Sequence, residues 1–196
     1  RLSLVGSEMC IRDRHVVPFK KPTTEELDHD FLWRVHKEVP AKGQIAIFNR
    51  SHYEDIIAVR VKKIFPDPVW KRRYKHVLDF EAMLAEEGTV IIKLFLNISK
   101  AEQKKRLESR LQDPDKLWKF CMDDLDDRNR WDEFQTAYQD LIEKTSTPEA
   151  PWYIIPADRK WYRNLVVARL MVEKLRHLQL SLPTPNFDPA SIIIPD

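Results

Sequence analysis

The sequence contains few glycines and few cysteines. Only three of its 196 residues are glycine, at positions 6, 43 and 88, so the chain encodes no glycine-rich loop of the kind that wraps phosphate groups with backbone N–H groups. The two cysteines, Cys10 and Cys121, are too few for a disulfide framework. This scarcity favours a reducing compartment, and we expect a cytoplasmic protein.

The sequence also lacks an excess of charge of one sign and a long apolar run. It has 33 basic and 31 acidic residues, a net charge of +2. Overall charge therefore gives no argument for binding to nucleic acid or to a membrane surface, and a polyanion site would require local clustering of basic residues. Because no run of eighteen apolar residues occurs, we expect no membrane span.

Three segments of the chain differ in character. Residues 1–14 contain the run LVGSEMCIRDR, which resembles the translation of a sequencing-library adapter, and we favour this artefact over a genuine N-terminus. Residues 15–180 show no internal repeat and no linker, so we interpret them as one domain. Residues 181–196 carry several prolines and are expected to form a tail over the surface.

Apolar periodicity in the domain predicts strands that alternate with helices. The strands are predicted at 15–19, 44–49, 89–98 and 151–155. The helices are predicted at 24–39 (with Thr24 as N-cap), 51–64, 69–87, 100–111, 118–144 and 159–180. The nearly continuous apolar run 89–98 indicates a strand buried on both faces. This order predicts an α/β fold, in which one parallel sheet has helices on both faces and binds ligands at the carboxyl ends of its strands.

Polar and basic residues follow two of these strands. Asn49 ends the strand 44–49 and Arg50 follows it, and Glu54 and Asp55 come shortly after them. The helix after residue 98 and the turn that follows it are rich in basic residues: Lys100, Lys104, Lys105, Arg106, Arg110, Lys116 and Lys119. Such clustering suits phosphate chemistry, because charge spread over several phosphate oxygens must be neutralised. The same helix carries Glu102 and Glu108, so an ordinary solvated face is the alternative interpretation.

Several of these residues have a simpler structural explanation. Asn49 could cap the next helix, and Arg50 could pair with a neighbouring acid. His52 has no His, Cys or acidic residue at a spacing typical of a metal site. Cys121 is expected to be a partly buried apolar residue, and the tryptophans at 118, 131, 152 and 161 are expected in the core rather than in a base-stacking platform.

Six ordered blocks of the chain resemble the family-2 polyphosphate kinases. The blocks are FKKPTTEELDHDFLWRVHKEVP (19–40), FNRSHYED (48–55), FLNISKAEQKKR (95–106), DPDKLWKF (113–120), DLDDRNRW (124–131) and APWYIIPADRKW (150–161). The resemblance extends from about residue 15 to about residue 180, and it identifies this part with the C-terminal part of the catalytic domain of that family.

The resemblance implies a P-loop kinase-like, three-layer α/β fold with a helical lid. It places Asn49 and Arg50 at a Walker B-type strand end, where Arg50 would contact the transferring phosphates. It places Lys104, Lys105, Arg106, Arg110, Lys116 and Lys119 in the polyphosphate-binding lid, and Asp124 and Arg128 in the block that follows. The implied substrates are inorganic polyphosphate and AMP, ADP or ATP, with Mg²⁺ as cofactor. A homo-oligomer is also implied, without nucleic acid or membrane as partner.

The chain departs from the family pattern in two ways. It has no GxDxxGK stretch of the Walker A type, so we expect the polypeptide as given to be inactive. It has Asn49 where much of the family has Asp, so Mg²⁺ would depend on Glu54, on Asp55 or on an acid in the missing loop. The version FNRSHYED is similar to the branch of the family that accepts nucleoside monophosphates as well as diphosphates.

These observations lead to one functional hypothesis and two alternatives. The hypothesis is direct transfer of a phosphoryl group from polyphosphate to AMP or ADP. The first alternative is a P-loop nucleoside monophosphate kinase that uses ATP as its donor. The second is a protein that binds polyanions by charge alone and catalyses nothing.

Overall fold

The computed structural model describes residues 14–178 and Ile192. Its strands are β1 (Arg14–Pro18), β2 (Ile45–Asn49), β3 (Lys93–Asn97) and β4 (Trp152–Pro156). Its helices are α1 (Thr24–Asp28), α2 (Trp33–His36), α3 (Glu54–Val61), α4 (Asp67–Glu86), α5 (Lys100–Gln112), α6 (Asp123–Asn129), α7 (Trp131–Thr145) and α8 (Lys160–His177), with a 3₁₀ helix at Pro114–Lys119. Residues 1–13 and all of the predicted tail 181–196 except Ile192 lie outside the described residues.

The strands pair in parallel, as the alternation of strands and helices predicts. Within residues 14–178 they form two separate two-stranded sheets, β1 with β2 and β3 with β4, and not one sheet. Each pair is extended by one further hydrogen bond at its carboxyl end. Phe19 N–H donates to the Asn49 carbonyl at 3.1 Å, and Ala157 N–H donates to the Asn97 carbonyl at 2.8 Å.

The apolar run 89–98 is less regular and less buried than predicted. Only residues 93–97 form a strand, and within that strand only Lys93 is buried. Leu96 is exposed, and so is Ile154 on the neighbouring β4. The prediction of a strand buried on both faces is therefore wrong for the described structure, in which side chains of β3 and β4 remain exposed to solvent.

The predicted helix 24–39 is divided into α1 and α2. The cause is local: the Asp30 side chain accepts from the N–H groups of Leu32 and Trp33, which starts a new turn instead of continuing the first helix. Thr23, not Thr24, is the N-cap of α1, and it forms a capping box with Glu26.

Two apolar clusters form the core. The larger one joins α3, α4 and α7 through Ile56, Ile57, Val77 and Leu141, which are almost completely buried. The smaller one joins β1, α2 and α4 and is centred on Val35. Among the described residues, no helix has the length and apolar character that a membrane crossing would need.

Some predictions about the core were wrong. Trp118 is 78% exposed, and Trp161 and Cys121 are also exposed, whereas Trp152 packs against the larger cluster as expected. Trp118 lies in the short 3₁₀ helix after α5, where its indole N–H donates to the Asp115 carbonyl at 3.0 Å and its ring receives the Lys119 ammonium. Short, highly charged segments such as this one offer no apolar layer in which to bury an indole.

Candidate active site

The carboxyl end of β2 presents two exposed polar side chains, Asn49 and Arg50. Arg50 has φ 63°, a left-handed backbone conformation that costs a residue with a side chain about 1–2 kcal/mol. Asn49 is held to the neighbouring strand through its carbonyl, which accepts from Phe19 N–H. Asn49 does not cap α3, because the residue at the N-cap of that helix is Tyr53. The backbone therefore takes a left-handed turn at Arg50 without a glycine.

Two of the three residues between Arg50 and α3, His52 and Tyr53, are buried. The Ser51 hydroxyl accepts from Tyr53 N–H at 3.4 Å, and the rings of His52 and Tyr53 pack into the interior. An exposed arginine therefore lies two residues before the buried His52 and three before the buried Tyr53.

Glu54 is the acidic group associated with Arg50. Burial raises the pKa of this carboxyl, the charge of Arg50 opposes the rise, and Asp55 and Asp127 add to it. Asp127 in turn forms an ion pair with Lys62 at 2.8 Å. The carboxyl end of β2 thus brings Arg50 into an environment of mixed charge.

Asp55, the second predicted metal ligand, is already occupied by arginines. Its carboxylate accepts from the buried Arg34 guanidinium at 2.9 Å, and its backbone carbonyl accepts from Arg73. Arg34 also donates to the Lys20 carbonyl, so Asp55 anchors the segment after β1. Among the described residues, no group of three or more His, Cys, Asp and Glu side chains is arranged to hold a metal ion. The role of Glu54 and Asp55 as Mg²⁺ ligands stays a prediction.

The basic helix α5 starts at the carboxyl end of β3 and is fastened to the loop after β4. The Ser99 hydroxyl caps the helix by accepting from Glu102 N–H at 3.1 Å, and Ser99 N–H donates to the Asp158 carboxylate at 2.8 Å. Arg106 donates to the Ala157 carbonyl at 2.7 Å and to Glu102 at 2.8 Å. Arg106, predicted to bind polyphosphate, thus joins the carboxyl ends of β3 and β4.

Two more predicted phosphate ligands connect α5 to α6. Arg110 donates to Asp124 at 3.1 Å. Arg128 donates to the Lys100 carbonyl at 2.8 Å and to Gln103 at 2.9 Å. These contacts close the predicted lid on itself, so both arginines contribute to its shape.

The predicted lysines remain on the surface of this region. Lys104 and Lys105 are exposed on α5, and Lys104 lies 3.7 Å from Glu108. Lys116 is paired with Asp113, and the Lys119 ammonium lies 4.9 Å from the centre of the Trp118 ring. The binding role of all these basic residues stays a prediction; among the described contacts Lys105 has no hydrogen bond or ion pair, and Lys119 has only its contact with the Trp118 ring.

A buried polar cluster lies behind the turn of Arg50, and the sequence reasoning missed it. Lys93 is 5% exposed and Glu81 is 3% exposed, and Lys93 Nζ lies 2.6 Å from Glu81 Oε2. Burial lowers the pKa of Lys93, against the effect of the Glu81 carboxylate. Burial alone would raise the pKa of Glu81, but the hydrogen bond from His52 and the charge of Lys93 outweigh it and lower that pKa. The one available signal was a lysine inside the apolar run 89–98.

Comparison with known proteins connects this geometry to a family. The sequence profile described as Polyphosphate kinase 2 matches residues 5–182. The AMP/ADP-polyphosphate phosphotransferase of Meiothermus ruber is 53% identical over 179 residues, which cover 91% of this chain and 67% of that protein. The ADP-polyphosphate phosphotransferase of Rhodopseudomonas palustris is 39% identical over 194 residues, which cover 93% of this chain and 66% of that protein.

A solved structure is similar over the same part. The polyphosphate kinase 2 crystal structure from Arthrobacter aurescens TC1 superposes with a TM-score of 0.89 at 47% identity, covering 92% of this chain and 64% of the other. The chain therefore spans about two thirds of the length of these relatives.

Proposed function

Since the chain belongs to the polyphosphate kinase 2 family, we propose that the protein transfers phosphoryl groups between inorganic polyphosphate and adenine nucleotides, with AMP and ADP as acceptors. The observation that carries this proposal is the 53% identity, over 91% of the chain, to a relative named AMP/ADP-polyphosphate phosphotransferase. Two further relatives, both from Pseudomonas species and both 35% identical, are named polyphosphate:AMP phosphotransferases, which supports AMP as an acceptor.

In the proposed reaction, a phosphate oxygen of the nucleotide attacks the terminal phosphorus of polyphosphate in line with the bond that breaks. The bond between that phosphorus and the bridging oxygen breaks, and the shortened polyphosphate leaves with the electron pair. Positioning and charge neutralisation supply most of the acceleration in such transfers, so no covalent intermediate on the protein is required.

We propose two separate roles for the basic residues, contact with substrate phosphates and maintenance of the lid structure. Arg50, exposed at the carboxyl end of β2, is proposed to contact the transferring phosphoryl group. The exposed Lys104 and Lys105 are proposed to bind the polyphosphate chain as mobile point charges. Arg106, Arg110 and Arg128 are proposed to keep the lid in shape, because each already donates hydrogen bonds to oxygen atoms of the protein.

Mg²⁺ is the proposed cofactor, and of the two predicted ligands we favour Glu54 over Asp55. Asp55 already forms an ion pair with Arg34, which leaves Glu54 as the other predicted carboxylate. One carboxylate can be enough, because Mg²⁺ sites often use one or two carboxylates together with substrate phosphates and water. When bound, the ion would neutralise charge that develops on the phosphate oxygens.

Three further proposals, on fold, location and assembly, accompany the proposed reaction. Similarity to the Arthrobacter structure supports a three-layer, P-loop kinase-like arrangement of the two sheets, with α5 and α6 in a lid. Cytoplasmic location and assembly into homo-oligomers stay predictions.

The test uses the full-length gene product with Mg²⁺ and long-chain polyphosphate. AMP and ADP are supplied separately, and formation of ADP and ATP is followed by chromatography. We expect product from both acceptors, and a loss of turnover in Arg50→Ala but not in Arg72→Ala, an exposed arginine on α4 that serves as the matched control. Turnover with ATP as donor and none with polyphosphate would instead indicate a nucleoside monophosphate kinase. Binding of polyphosphate without any turnover would indicate a non-catalytic protein.

A further inference from the structure

A buried hydrogen-bonded cluster lies directly behind the turn that carries Arg50. We call it the Glu81 network, and it consists of Glu81, Lys93, His52, Tyr53 and Thr145. Lys93 uses its three ammonium donors on Glu81 Oε2 at 2.6 Å, on the Thr145 carbonyl at 2.6 Å and on the Tyr53 hydroxyl at 3.1 Å. The Tyr53 hydroxyl donates to Glu81 Oε1 at 2.7 Å.

His52 completes the network, and its contact with Glu81 indicates which ring nitrogen carries the proton. Its Nε2 lies 3.3 Å from the same Oε1 of Glu81. Because an ionised carboxylate only accepts hydrogen bonds, Nε2 must carry the proton that is donated. Nδ1 of His52 is buried and has no hydrogen-bond partner among the described residues. The ring therefore makes one hydrogen bond among the described residues, the one to Glu81, and otherwise packs against the rings of Tyr53 and Phe80.

The network joins elements that are far apart in the chain. His52 and Tyr53 precede α3, Glu81 lies on α4, Lys93 begins β3 and Thr145 ends α7. The Thr145 hydroxyl extends the network to β4, because it accepts from the Trp152 indole N–H at 2.9 Å. The start of α3 is thus fastened to the second sheet and to two helices at one point.

Stability alone is a poor explanation for this ion pair. Removing two charges from water is expensive, and well-packed apolar residues of similar volume are often equally stable or more stable. Directional hydrogen bonds hold ring orientations in a way that apolar contacts do not. The turn in front of the network needs such anchoring, since Arg50 has a left-handed backbone and lies two residues before His52.

We propose that the Glu81 network positions Arg50 for phosphoryl transfer, acting through His52 and Tyr53. Glu81 and Lys93 are proposed as positioning residues, because both are buried and no described hydrogen bond or ion pair joins them to Arg50. The proposal rests on the function proposed above for Arg50. It predicts that disturbing the network lowers kcat through the placement of Arg50, without a matching loss of nucleotide affinity.

The experiment compares two replacements of His52 in the full-length gene product. His52→Gln keeps an N–H donor near the place of Nε2, whereas His52→Met fills a similar volume and has no donor. We expect His52→Met to lower kcat by about 10- to 100-fold, the effect of a small misplacement of a catalytic group, with the KM for AMP changed less than about threefold. His52→Gln is expected to restore most of kcat, and Tyr53→Phe, which loses only the hydroxyl, should lie between the two.

A double-mutant cycle separates positioning from general loss of structure. In an Arg50→Ala background, His52→Met should lower kcat by less than about twofold, because the group that it misplaces is gone. Full additivity of the two changes would overturn the proposal, and so would equal kcat losses in His52→Gln and His52→Met. Thermal unfolding midpoints, measured for every variant, identify variants that fail to fold.

A second readout does not depend on activity. Amide hydrogen exchange at residues 50–55 should become faster in His52→Met than in His52→Gln, while exchange in α4 is the same in both. If the wild-type protein shows no polyphosphate-dependent turnover, the proposed function fails, and this comparison still decides whether the network holds the turn. Equal exchange at residues 50–55 in both variants would refute that role.

Discussion

Replacing Lys93 with methionine is expected to lower the free energy of unfolding by about 4 kcal/mol at pH 7, because Glu81 then keeps a buried charge without its ammonium partner. Glu81 lies on α4, pairs with Lys93 at the start of β3 and is 3% exposed, so water does not readily replace the lost partner. The variant also leaves the Thr145 carbonyl without its Lys93 donor.

The size of this loss follows from the cost of protonating Glu81, which removes the unpaired charge. Protonation of a carboxyl with the ordinary pKa of 4.5 at pH 7 costs about 3 kcal/mol, at about 1.36 kcal/mol per pKa unit. The unmade hydrogen bond at Thr145 adds about 1 kcal/mol. Protonation limits the penalty, so a larger loss is not expected.

The same reasoning gives the pH dependence. In the wild-type protein the pKa of Glu81 is lowered, so its contribution to stability is present above the unfolded value and is lost only as pH falls through the lower folded value. In Lys93→Met the pKa is raised, so the variant loses stability as pH rises above the unfolded value. The destabilisation should therefore shrink to about 1–2 kcal/mol at pH 5.

Urea unfolding followed by tryptophan fluorescence measures this loss at both pH values. Lys75→Met is the matched control, because Lys75 lies on the exposed side of α4 and pairs with the exposed Asp79. Its effect should stay below about 0.5 kcal/mol. A loss below about 1 kcal/mol for Lys93→Met at pH 7, or an equal loss at pH 5 and pH 7, would refute the assignment of a buried charged pair.

Three other outcomes are expected. Gly88→Ala should lower the free energy of unfolding by about 1 kcal/mol in urea titrations, because the φ of 89° at this position after α4 is unfavourable for alanine. The space around the new Cβ is open, so no change would mean that the turn relaxes. Ser99→Ala should cost about 1 kcal/mol through the lost cap of α5, and Ser99→Asp should keep most of it. Arg106→Ala should lower the free energy of unfolding by about 1–2 kcal/mol, because its hydrogen bond to the Ala157 carbonyl is lost. Lys105→Ala should leave stability unchanged and reduce the salt slope of polyphosphate binding by about 0.7. The reverse pattern would exchange the roles of the two residues.

The structure changes how the basic residues of α5 are interpreted. From the charge pattern, Arg106 and Arg110 were equivalent to Lys104 and Lys105 as phosphate ligands. In the folded chain both arginines already donate to oxygen atoms of the protein, and the two lysines stay exposed. A guanidinium has five donors in a fixed fork, so an arginine can hold a backbone carbonyl and still present donors to a phosphate. Arg106 could therefore serve both purposes, and the stability and binding assays together separate them.

Much of the secondary structure could be predicted because its causes are local. Apolar periodicity located the four strands, and Gly88 ended α4 as expected, since a positive φ is easiest for glycine. The broken helix 24–39 was also a local effect, but it depended on the Asp30 side chain competing for backbone donors, which periodicity does not report.

The sequence by itself determined the family, the parallel alternation of strands and helices, and the location of Asn49 and Arg50 at a strand end. These properties depend on the order of residues and on short-range backbone preferences, which a linear pattern contains. Only the tertiary structure decided that Asp55 pairs with Arg34, that Arg106 holds the Ala157 carbonyl and that Lys93 meets Glu81. The partners in these contacts are separated by between 12 and 51 positions, and the choice of partner depends on how the helices pack against the sheets.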